Sequence, residues 1–244
     1  MKLLITSDLH VDFGKDPLSY FEDNDFDVAI VAGDIANHAK ECLRYMTKFE
    51  KICGEKPYIY VPGNHCRWSL SFSESEKYLS KCSGYMNRTV RVINDQRFLG
   101  CTLWYKPEEE INRRMWSDYR WIKDYENIRN EHELDMKFLI DNLQEGDVVI
   151  THMLPSFQCI SYKYIGDDMN KYYYTELIDL IKERKPKLWI SGHSHEEMMR
   201  FITPECFYFR NPLGYPMERD NRQIAVLDLN NLKSYDGLKY FNYK

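Results

Sequence analysis

Asp8, His10, Asp34, Asn64, His152, His193 and His195 are carboxylate, imidazole and carboxamide groups, the donor types that hold borderline divalent cations. They fall in five short blocks: Ser-Asp-Leu-His, Ala-Gly-Asp-Ile, Pro-Gly-Asn-His, Ile-Thr-His and Ser-Gly-His-Ser-His. So many donors exceed what one ion can take and suit two ions about 3.5–4 Å apart that share a bridging carboxylate. A metal pair of that kind lowers the pKa of a bridging water, orients phosphoryl oxygens and neutralises charge as a transition state forms. The mixture of donors predicts Mn²⁺ first, with Fe²⁺, Zn²⁺, Ni²⁺ and Mg²⁺ as alternatives, and the lack of thiolates speaks against a structural zinc site.

Something must bring these blocks together. Each follows a short apolar run, at Lys2–Thr6, Val28–Ala32, Tyr58–Val61, Val148–Thr151 and Leu188–Ser191. Run length and β-branched content predict buried strands, and the carboxyl ends of strands are where sites assemble in open α/β sheets. In Asp8-x-His10 and His193-x-His195 both side chains face one way only on an extended segment or a tight loop. Gly33, Gly63 and Gly192 precede ligands where a sharp turn or close backbone approach would exclude a Cβ. Singly, each block has an ordinary explanation as a capped turn or surface loop. All five in order, each at the end of an apolar strand, do not.

Between the strands, Ala39, Cys42, Leu43, Met46, Phe49, Ile52 and Cys53 recur at helical spacing, with Gly54 as a C-cap. Similar patterns run through Leu134, Phe138, Leu139 and Leu143 towards Gly146, and through Leu177, Ile178 and Ile181 before Pro186. Alternating strands and helices predict an α/β fold with a largely parallel element. The tail adds strands at Cys206–Arg210 and Gln223–Leu229 with no helix between them, so the sheet arrangement should be mixed. No repeat or linker is visible, which predicts one domain over residues 1–244 with a helical, aromatic-rich insertion at about 104–145. Aromatic residues concentrate between Trp104 and Tyr174, as a filled core or as a wall facing substrate.

A chain of 244 residues buries roughly 70–75% of its unfolded surface and needs no structural metal or disulfide to be stable. The formal net charge of −5 argues against a nucleic-acid binder. Seven scattered cysteines without a CxxC pair suit a reducing compartment. Leu3-Leu4-Ile5 is too short for a signal-peptide core or a membrane span. The expectation is a cytoplasmic protein that acts on a small phosphate ester, without membrane or nucleic-acid partners; the oligomeric state stays open.

In their order, the five blocks resemble the calcineurin-like metallophosphoesterase superfamily over residues 8 to 195. The resemblance implies a four-layer α/β/β/α sandwich with mixed sheets. It implies one metal held by Asp8, His10 and His195, and a second by Asn64, His152 and His193, with Asp34 bridging. It also implies that His65 contacts the phosphate and protonates the leaving alkoxide, a role suited to an imidazole pKa near working pH. One departure is Cys66, which stands where the family usually has Asp or Glu after that histidine; a carboxylate there would raise and orient the imidazole. Gly100-Cys101-Thr102-Leu103-Trp104, Ser117-Asp118-Tyr119-Arg120, Thr151-His152-Met153-Leu154-Pro155-Ser156 and Asn211-Pro212-Leu213-Gly214-Tyr215-Pro216 are similar to a bacterial and phage branch of small metallophosphoesterases, akin in motifs to cyclic-nucleotide phosphodiesterases. Met153 occupies the place of a second histidine found in many members of that branch. The insertion and the Asn-Pro-Leu-Gly-Tyr-Pro turn should rim the cleft, with Arg120, Tyr119 and Tyr215 as candidate substrate contacts.

The leading expectation is hydrolysis of a small, nucleotide-like phosphodiester or phosphomonoester by attack of a metal-bridged hydroxide. A nuclease of the same superfamily should show a long C-terminal capping region or a basic groove. A non-catalytic protein-binding scaffold should have lost a ligand or His65. The acidic net charge speaks against the first, and the presence of all seven ligand residues and of His65 against the second.

Overall fold

In the computed structural model, residues 1–14, 16–22, 25–107, 116–218 and 224–235 are described. The chain forms strands β1 (Lys2–Thr6), β2 (Val28–Ala32), β3 (Tyr58–Val61), β4 (Thr89–Ile93), β5 (Gln96–Cys101), β6 (Val148–Thr151), β7 (Leu188–Ser191), β8 (Met198–Phe201), β9 (Phe207–Arg210) and β10 (Ala225–Asp228). Its helices are α1 (Ala39–Cys53), α2 (Phe72–Leu79), α3 (Ser117–Trp121), α4 (Ile128–Asn142) and α5 (Ile178–Arg184). The five predicted strands have the predicted bounds, and α1 ends at Gly54 as its spacing required.

The strands make two mixed sheets, one ordered β10-β1-β2-β3 and the other β4-β5-β6-β7-β9-β8. Alternation along the strands explains why four layers result. From β1 to β3, Leu3, Ile5, Val28, Ile30, Ile59 and Val61 face the second sheet, whose Phe98, Val148, Ile150, Leu188, Ile190 and Phe207 meet them. The alternate residues Leu4, Ala29, Val31 and Tyr60 pack under Cys42, Met46 and Phe49 of α1 and Leu79 of α2. On the far face of the second sheet, Leu99, Cys101, Val149, Trp189 and Tyr208 carry Ile128 and Leu139 of α4 and Ile181 of α5. Because β1–β3, β6 and β7 are buried on both faces, their runs read as continuous apolar segments rather than alternating ones.

β4, β5, β8 and α2 lie beyond the predicted elements. In β4 and β5, Arg91 and Arg97 interrupt the apolar run, and a two-residue turn with both Asn94 and Asp95 at positive φ joins the strands; this is the turn chemistry of a tight hairpin. Helix α2 starts with a reciprocal capping box between Ser71 and Glu74, a device whose loss costs about 1 kcal/mol. The predicted insertion holds α3 and α4; its residues 108–115, like Gln223 of the predicted tail strand and residues 236–244, lie outside the described residues. All seven cysteines are buried as free thiols. Among the described residues, no helix is long and apolar enough to cross a membrane.

Candidate metal centre

Five strand ends converge from the two sheets. Asp8 and His10 follow β1, Asp34 follows β2, Asn64 and His65 follow β3, His152 follows β6, and His193 and His195 follow β7. Backbone and side-chain bonds tie the ends together. The Asp8 N–H donates to Gly33 O (3.0 Å), that of His10 to Asp34 O (3.1 Å), and that of Gly192 to His152 O (3.0 Å). The Asp34 carboxylate accepts from the His65 N–H (2.9 Å), and the Asp8 carboxylate from the His193 N–H (3.0 Å). The approach is close enough to require glycine: a Cβ on Gly33 would lie 2.1 Å from His152 Nδ1, and one on Gly63 2.1 Å from Asp34 Oδ1. Asp8, His10, Asp34 and His193 themselves sit at φ of 53°, 40°, 51° and 67°, the left-handed region that L-residues enter at a cost.

Two groups of donors result. Asp8, His10 and His195 have ligand atoms all within 4.8 Å of one another, as do Asp34, His152 and His193. Asn64 Oδ1 lies 3.0 Å from His152 Nε2, on the second group. Nitrogen faces nitrogen between His10 Nε2 and His195 Nε2 at 3.2 Å, and the His193 Nε2 is buried without a hydrogen-bond partner. Converging nitrogens of this kind, with the His193 Nε2 lacking a partner, are what a cation satisfies, so the donor set fits two divalent ions.

Outer partners fix the imidazoles. His152 donates from Nδ1 to the Ala32 carbonyl (2.9 Å) and so presents Nε2 inward. His195 Nδ1 pairs with Glu218 Oε2 at 2.8 Å, leaving its Nε2 3.5 Å from Asp8 Oδ1. Such partners set tautomer and ring orientation.

The electrostatics are those of a site made for positive charge. Burial pushes the Asp8 carboxyl up, but His195 and His152 outweigh it and hold it at about 2. Burial acts the same way on Asp34, and His152 and His65 hold it far below the carboxylate range. Burial lowers His152, yet the carboxylates of Asp34 and Asp8 lift it to about 10. His10 and His193 are pushed down to about 3, by burial first and then by the imidazoles of His65 and His152 respectively. The field that favours a proton on His152 would equally favour a metal ion in its place.

His65 stands beside this cluster. Its Nε2 is 3.9 Å from Asp34 Oδ2, and its Nδ1 meets Asn37 Oδ1 at 2.6 Å. Its ring stacks on Trp68 with centroids 3.6 Å apart. Asn37 thus orients the imidazole, the task that a carboxylate at position 66 would have had, while Cys66 turns into the core and accepts from the Tyr60 hydroxyl at 3.2 Å. Burial lowers His65 to about 4, against the pull of Asp34. Met153 is fully buried in the core beneath α4 and α5, away from the cluster.

A cavity of about 450 Å³ opens over the donors, lined on one side by Asp34, Asn64, His65, His193 and His195 and on the other by Trp116, Tyr164 and Tyr173. Of the predicted substrate contacts, Tyr215 lines it and stacks on His10 (4.3 Å between centroids). Tyr119 packs edge-on against Tyr125, and Arg120 is exposed on α3; neither lines the cavity. The aromatic segment is therefore both core and wall: Trp104 and Tyr105 are buried, whereas Tyr164 and Tyr173 face the cleft. Asn37, Trp68, Asp118 and Glu218 are site residues without a spacing signal in the sequence. Asp118 alone fell within a motif that drew notice.

A family model described as calcineurin-like phosphoesterase matches residues 1–197. No curated protein matches the chain at a significant level. Among solved structures, the chain is similar to the phosphopantetheinyl hydrolase of Mycobacterium tuberculosis, at 16% identity and a TM-score of 0.74, over 93% of this chain and 96% of that one. It is also similar to a Thermus thermophilus protein at 14% identity and a TM-score of 0.60, over 95% of each chain. At such identities the likeness is one of fold.

Proposed function

The chain belongs to the calcineurin-like phosphoesterase family, a family of metal-dependent phosphoric ester hydrolases, and from that premise we propose that it cleaves a small phosphodiester with a nucleotide-like organic group. The observation that carries the reading is the pairing of two carboxylate–imidazole groups, Asp8 with His10 and His195 and Asp34 with His152 and His193, of which Asp34, His193 and His195 line one cavity. Asp8, His10 and His195 would hold one ion, and Asn64, His152 and His193 the other, with Asp34 reaching both. Two ions in these places supply an activated water and neutralise the phosphoryl oxygens.

The remaining work falls to the chain's own groups. The cavity would seat the substrate against Asp34, which lines it. Asn37 fixes the His65 ring so that Nε2 faces the cluster. A phosphate anion beside it favours the imidazolium, which gives its Nε2 proton to the departing alkoxide. Trp116, Tyr164 and Tyr173 offer flat surfaces to an aromatic organic group. The carboxylates of Asp118, Asp167 and Glu218 also line the cavity and repel surplus negative charge, which favours the monoanion of a diester over the dianion of a monoester. Manganese is the proposed ion, because mixtures of carboxylate, imidazole and carboxamide donors suit it.

Metal-stripped protein given Mn²⁺ should regain hydrolysis of bis-nitrophenyl phosphate and act more slowly on nitrophenyl phosphate. The reverse preference would overturn the diester assignment. No activity with any divalent cation would leave the fold in service of binding alone.

A further inference from the structure

Asp118, on α3, is 1% exposed. Its Oδ1 accepts from Asn64 Nδ2 at 2.8 Å and from Trp68 Nε1 at 2.9 Å, while Oδ2 receives the Tyr105 hydroxyl at 3.5 Å. Two of these partners belong to the loop after β3, which carries the cleft residues, and only Tyr105 belongs to the insertion.

The two ends of a carboxamide have nearly the same shape, and the hydrogen-bond partner decides which end faces where. An ionised carboxylate only accepts, so the NH₂ end of Asn64 must turn to Asp118. The oxygen is then left 3.0 Å from His152 Nε2, pointing into the donor cluster. Turned the other way, Asn64 would aim a donor at the place of a cation. The same Asp118 oxygen fixes the Trp68 indole, on which the His65 ring lies at 3.6 Å and 26°. Backbone bonds from Ser69 N–H to Trp121 O (2.7 Å) and from Lys123 N–H to Leu70 O (3.2 Å) clip α3 and its exit to this loop, so the carboxylate is delivered on a braced element.

We propose that Asp118 is a positioning residue for both halves of the chemistry: it sets the Asn64 oxygen towards one metal site and seats the Trp68 platform beneath His65. The assignment rests on the proposed roles of Asn64 and His65.

Calorimetric titration of metal-free protein with Mn²⁺ tests it. Wild type should take up two ions. Asp118→Leu should weaken one of them by about 10–100-fold, as loss of a ligand's outer partner does, and leave the other unchanged. Asp118→Asn, which keeps the shape and one acceptor oxygen, should recover part of the loss. In an Asn64→Ala background Asp118→Leu should change Mn²⁺ affinity less than twofold, because the effect passes through Asn64. Turnover of an alkyl phosphodiester should fall more than that of the nitrophenyl ester, since only the former needs the His65 proton. Unchanged affinity in both Asp118 variants, or equal weakening of both ions together with a lowered Tm of the metal-free protein, would overturn the proposal. If wild type itself bound no Mn²⁺, the two-metal reading would fail before this one was reached.

Discussion

On one side of the cleft the donors hang from strand ends whose backbones are bonded to one another, as between Asp8 and Gly33 or Gly192 and His152. On the other side the wall is made by side chains on short helices and turns, where Trp116 stacks on Tyr172 at 4.6 Å and Tyr173 leans on His193 at 4.5 Å. The first side holds ligand atoms by main-chain geometry, which tolerates little change because Gly33 and Gly63 have no room for a Cβ. The second holds its surface by packing, which tolerates substitution of one aromatic group for another. Ions demand fixed positions, whereas a range of organic groups can lie on a flat wall. The difference teaches where to seek specificity in this molecule: in the insertion and the turns around Tyr164, not at the strand ends.

Asp34→Ala strikes the strand-end side hardest, since Asp34 meets His152 at 3.2 Å and accepts from the His65 N–H. Both ions should be lost in elemental analysis. Turnover should fall by more than the roughly 10–100-fold that removal of an outer partner costs. Retention of one full-strength ion would show two independent sites instead of a shared one. His65→Gln should keep both ions and slow an alkyl ester by about 10²–10⁴-fold, with a smaller loss for the nitrophenyl ester. Should the ions leave as well, His65 belongs to the ligand set. The smallest effect is expected on the wall. Tyr164→Ala removes a 45%-exposed ring and should raise KM several-fold, about 1 kcal/mol of stacking, with kcat and metal content unchanged. A loss of metal there would dissolve the division between the two sides.

The strand-end side was legible because it is written in local pattern: an apolar run, a glycine, then a donor, repeated at β1, β2, β3, β6 and β7. The same reading placed α1 to the residue, since its apolar stripe and Gly54 cap are local signals. The outer partners of the donors and of His65 were not legible in that way. Asn37 meets His65 across 28 residues, and Asp118 meets Asn64 across 54. A single polar residue whose partner is so distant leaves no periodic trace. β4 and β5 escaped because they bear charges on exposed or half-exposed positions; Asn94-Asp95 between them was the available cue. Arg120 was a candidate substrate contact, but α3 points Asp118 inward and leaves Arg120 in solvent.

The left-handed backbone at Asp8, His10, Asp34 and His193 has a consequence for stability. Conformations costing about 1–3 kcal/mol each are bonded into the two sheets, through Asp8 N–H to Gly33 O and His10 N–H to Asp34 O. The fold therefore gives up stability to aim its donors, and glycine at any of these four positions should relax the backbone while removing a ligand.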